Sequence, residues 1–114
     1  MSATLDTTNL VVAPGHDELV ARAAELVPLL QQNAENTEKN RRVVEENIAA
    51  IRSVGLFKVT VPKRFGGYEC DLRTKVAVSR ELARGDGSTA WAVTLLNVCA
   101  WFTGLFGEQA QQDV

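Results

Sequence analysis

Residues 59–71 read VTVPKRFGGYECD. The segments on either side repeat their apolar residues at steps of three and four, so the reading of this break decides the fold. Pro62 biases Val61 away from helical backbone. LFKVTVP, at 56–62, is rich in β-branched side chains but too short for a sheet of its own, which predicts a short extended connector. Gly66 and Gly67 supply positive φ or close backbone approach, and Asp71 stands where a helix needs its N-cap. The break therefore reads as an ordered loop with a double glycine, set between the helices of an all-α chain.

Working back from the loop, VVEENIAAIRSVGLF places Val44, Ile48, Ile51 and Val54 at helical spacing, with Gly55 as its stop. A first helix precedes it, capped by Asp17, with Leu19, Ala23, Leu26, Val27 and Leu30 on one stripe. Pro28 removes the bond to Ala24 and predicts a kink or a fresh start. QQNAENTEKNRR, at 31–42, is polar all round and reads as an exposed continuation followed by a turn. Residues 1–16 carry no sustained period and end near Pro14 and Gly15, so they read as a flexible tail with His16 a solvated loop residue.

Working forward, DLRTKVAVSRELARGDG puts Leu72, Val76, Ser79 and Ala83 on one face, with Leu82 beside them, and ends at Gly85. Ser88 then caps TAWAVTLLNVCAWFTGLF, which is apolar at nearly every position and must be surrounded by protein. A membrane span is excluded because Thr94 and Asn97 lie inside the run, Gly104 and Gly107 close it, and nothing beside it is an anchor. GEQAQQDV opens a fifth helix. Residues 17–114 thus read as one helical domain of about five helices, truncated at its C-terminal end.

Composition narrows the function. An apolar content of 46% with 23% charged residues describes a globular chain. A net charge of −2 with scattered Lys and Arg gives no footprint for nucleic acid or an anionic membrane. The N-terminus has no signal-peptide pattern, and Cys70 and Cys99 show no metal or disulfide spacing, so reduced thiols in a cytoplasmic protein are expected, with no metal. RGDGS reads as a turn and cap, since the phosphate-loop patterns are absent. No general base or nucleophile is nominated, so the catalytic residues stay unknown.

Three motifs taken together, GLFKVTVPKRFGGYECD, RELARGDGSTAWAV and LFGEQAQQDV behind a polar helix pair, resemble the N-terminal helical domain of the acyl-CoA dehydrogenase superfamily over about residues 19–114. STAWAV, with Trp91, and FGEQAQQDV look most like the flavin-dependent hydroxylase branch, the oxygenase components of two-component monooxygenases. The resemblance implies a full-length homotetramer whose β-domain and C-terminal four-helix bundle are missing from this chain. It also implies FAD or FMN, supplied reduced by a partner flavin reductase and held mostly by the missing parts. With O₂ that flavin would hydroxylate or N-oxygenate an aromatic or amine-bearing small molecule, and the fragment alone would be inactive. Cofactor-binding residues within this chain stay unknown.

The same resemblance puts the fourth helix against the substrate cavity and nominates Trp91, Leu95, Asn97 and Cys99 as substrate-binding. Trp91, Leu95 and Val98 share one stripe, and Thr94, Asn97 and Trp101 another, so one stripe meets core and the other meets ligand. Plain core packing for the aromatics, a structural hydrogen bond for Asn97 and a small buried apolar role for Cys99 are the plainer alternatives. Hydroxylases of phenols in this branch often carry a histidine near Cys99, and its absence here weighs against a phenolic substrate. Lys63 or Arg64 would meet an anionic group at the cavity mouth if the glycine loop is more than a turn. The competing functions are a true acyl-CoA dehydrogenase with tightly bound FAD and a non-catalytic helical interaction domain.

Overall fold

The computed structural model describes residues 14–113, so most of the expected tail lies outside the described residues. The described residues form five α-helices: α1 (His16–Asn40), α2 (Glu45–Ser53), α3 (Leu72–Gly85), α4 (Gly87–Thr103) and α5 (Glu108–Asp113). No helix among them is long and apolar enough to cross a membrane. α1 packs chiefly on α3 and α3 on α4, while α2 and the connector close the core from the side.

α1 begins two residues earlier than expected. Gly15 is its N-cap and Asp17 lies in the first turn, where its charge complements the helix dipole without a cap bond. His16 is accordingly helical, and its Nδ1 lies 3.1 Å from the Thr74 hydroxyl of α3. Pro28 neither ends nor restarts the helix. Its ring is exposed while Val27 and Leu30 are buried beside it, so packing on α3 holds the turn that proline weakens. The 31–42 run is not polar all round in effect, because Asn33 and Thr37 extend the buried stripe. Asn33 Nδ2 donates to Glu46 Oε1 at 2.8 Å and to Asn47 Oδ1 at 2.9 Å, tying α1 to α2.

α2 stops where Gly55 adopts φ 81. A Cβ there would also overlap the Tyr68 hydroxyl, so glycine is required twice over. The connector departs from the expected extended form. Leu56–Lys58 and Lys63–Phe65 are single 3₁₀ turns. Leu56 and Val59, three residues apart, are both fully buried, which a 3₁₀ turn allows and an alternating strand does not. The glycine loop folds back on this connector through Tyr68 N–H to Lys58 O at 2.9 Å and Cys70 N–H to Val59 O at 2.8 Å. Gly66 has φ 86, and Gly67 lies against the Val61 backbone with no room for a Cβ.

Asp71 caps α3 as expected, accepting from Thr74 N–H at 2.9 Å. The buried face of α3 is a correction. Thr74, Val78 and Leu82 point into the core, whereas Leu72 and Val76 are 69% and 48% exposed. Gly85 does not end α3 by a left-handed turn. It lies close against α1, where a Cβ would sit 2.7 Å from Leu30 Cβ. Asp86, not Ser88, caps α4, accepting from Thr89 N–H at 3.1 Å while its own N–H closes α3 on Leu82 O.

Candidate functional site

α4 carries the residues on which function was expected to rest, and its two sides differ. Thr89, Ala90, Val93 and Asn97 face the core. Leu95 and Cys99 stand on the opposite side with Trp91, which is 68% exposed. The helix is therefore not surrounded within the described residues, and Cys99 is not a buried apolar residue. A helix with no charge has no pattern to mark its inner stripe, which is why neither point is legible from sequence.

Asn97 is committed to the fold. Its Nδ2 donates to Leu56 O at 3.0 Å and to Val93 O at 3.2 Å, and its Oδ1 accepts from Thr60 N–H at 3.4 Å. The Thr60 hydroxyl donates to the Asn97 carbonyl. This saturates the amide and locks α4 onto the connector, the plainer of the two roles open to it. Of the four nominated residues, Trp91, Leu95 and Cys99 thus share one side of α4, and Asn97 faces the core. Trp91 borders a groove with Val76, Ser79 and Thr94, in which the Ser79 and Thr94 hydroxyls meet at 2.6 Å.

An apolar concavity instead lies between the start of α3 and the end of α4. It is a cleft of about 280 Å³ lined by Thr60, Cys70, Leu72, Lys75, Val98, Trp101 and Phe102. The Trp101 and Phe102 rings meet edge to face, centroids 5.2 Å apart at 64°. Burial pushes the Cys70 thiol up, the Asp71 charge pushes it further and Lys63 opposes both. Cys70 is therefore a protonated wall residue at neutral pH. Lys63 and Arg64 are exposed on the loop, Arg64 lying over the Phe65 ring at 4.8 Å. In the sequence Cys70 was read only as a reduced thiol, and Lys75 was not singled out because it sits on the basic side of α3. Leu72 three residues before Lys75 was the available signal.

The chemistry open to this wall is binding and exclusion of water. Among the described residues no group of three or more His, Cys, Asp or Glu is placed to hold a metal. A flavin needs donors for its ring edge and phosphates. Here the cleft offers one hydroxyl, already spent on Asn97, and one ammonium. These residues do not fit a flavin by themselves.

The chain matches the family described as "acyl-CoA dehydrogenase, N-terminal domain" over residues 14–114. It is 37% identical over 99 residues to the oxygenase component of an FADH₂-dependent resorcinol hydroxylase of Rhizobium sp. (strain MTP-10005), covering 87% of this chain and 24% of that protein. It is 35% identical over 89 residues to a flavin-dependent monooxygenase oxygenase subunit of Rhodococcus jostii (strain RHA1), covering 78% and 23%. To the p-hydroxyphenylacetate 3-hydroxylase oxygenase component of Acinetobacter baumannii it is 31% identical over 96 residues, covering 84% and 23%. The chain spans about a quarter of the length of these curated relatives. No solved structure gives a significant match.

Proposed function

Because the chain belongs to the acyl-CoA dehydrogenase family as its N-terminal domain, we propose that it is the first part of the oxygenase component of a two-component flavin monooxygenase. The observation that carries this is its similarity, at 31–37% identity, to three proteins named as oxygenase components or subunits. The full protein takes reduced FAD or FMN from a flavin reductase and acts on an aromatic or amine-bearing small molecule. One atom of O₂ enters the substrate, the other leaves as water, and the reduced flavin supplies two electrons. The flavin is held by parts of the protein outside this chain, consistent with the poor fit of the residues described here. A cytoplasmic homotetramer is the working assembly, and the free thiols Cys70 and Cys99 suit a reducing compartment.

Within that protein this chain supplies an apolar wall. Trp91 and Leu95 present its aromatic and aliphatic surface, Cys99 continues the same side of α4, and Asn97 fixes the helix so that the wall is held in place. Closing such a wall over the reacting ring excludes water, which protects the activated oxygen from wasteful release.

The test uses the full-length protein. Reduced FMN or FAD, a reductase and ¹⁸O₂ are supplied with a panel of substituted aromatic compounds, and products are weighed by mass spectrometry. One ¹⁸O per product, dependent on reduced flavin, is expected. Purification with tightly bound oxidised FAD that an acyl-CoA bleaches would instead establish the dehydrogenase reading.

A further inference from the structure

We draw no further inference here: the strongest candidate, the apolar groove between α2 and α4 lined by Val43, Ile48, Arg52, Phe57, Ala92 and Leu96, is an unpartnered face, and nothing in the structure shows what covers it.

Discussion

Asn97 joins α4 to the connector through a side chain only 2% exposed, so its loss should register as unpaired backbone rather than lost apolar area. Asn97→Leu leaves the Leu56 carbonyl and Thr60 N–H without their side-chain partner. A cost of about 1–3 kcal/mol is expected, read as a lower denaturation midpoint at unchanged slope. At Gly55 two penalties are stacked, a left-handed backbone and the Tyr68 ring. Gly55→Ala should therefore destabilise, and adding Tyr68→Phe should recover only part of the loss, leaving about 1–2 kcal/mol from the backbone. Full recovery would mean the positive φ is not required. Asp71 gives a pH signature. Hydrogen bonding from the Thr74 side chain and backbone holds its carboxyl below the usual range. Its folded value lies below its unfolded one, so its contribution is complete above about pH 4 and fades as pH falls through the folded value. Acid-unfolding curves of wild type and Asp71→Asn should converge in that window; parallel curves would show that the cap does not titrate with folding.

At the scale of elements, Gly85 sets how closely α3 lies on α1. Gly85→Ala puts a methyl 2.7 Å from Leu30 Cβ and 3.0 Å from Val27 O, an overpacking worth about 1–3 kcal/mol. Leu30→Ala keeps the Cβ that the new methyl meets and, of its close neighbours, removes only Cδ1, 3.2 Å away, so the double variant should cost close to the sum of the two. A double variant clearly less costly than that sum in chemical denaturation would show that the far end of Leu30, not its Cβ, sets the contact. The same contact explains which parts of the fold were legible. Helix starts and stops written in local chemistry, such as Asp71 and Gly55, read correctly, as did the α1 stripe from Leu19 to Leu30. The inner face of α3 did not, because Leu72–Val76 and Val78–Leu82 both have helical period and only the partner decides between them. The connector misled through Val59, Thr60 and Val61, whose β-branching favours extended backbone until burial of Leu56 and Val59 together requires a 3₁₀ turn. In the candidate site, the amide of Asn97 signalled a need for partners but not which partners. Lys75 drew no notice because a lysine on a helix is ordinarily solvated.

At the scale of the whole molecule, the described residues leave an apolar seam uncovered. Leu72, Val76, Trp91, Leu95, Trp101 and Phe102 are all at least 45% exposed along α3 and α4, and five of them line the cleft or the Val76–Trp91 groove, which adjoin at Lys75. Soluble monomers rarely expose a continuous apolar patch beyond a few hundred Å², and this chain is about a quarter of the length of its relatives. On the oxygenase reading the remaining parts of the protein close over this seam, with the reacting ring between the two. The 114-residue chain alone should therefore associate with rising concentration in sedimentation analysis. Trp91→Lys with Leu95→Glu should return it toward a monomer without loss of helical circular dichroism, since neither side chain supports the core. In the full-length protein the same pair should act in the opposite sense, lowering the unfolding midpoint, because there the charges would be buried. If the short chain is monomeric at high concentration and the full-length protein is indifferent to the pair, nothing covers the seam. The helical interaction domain would then be the better reading.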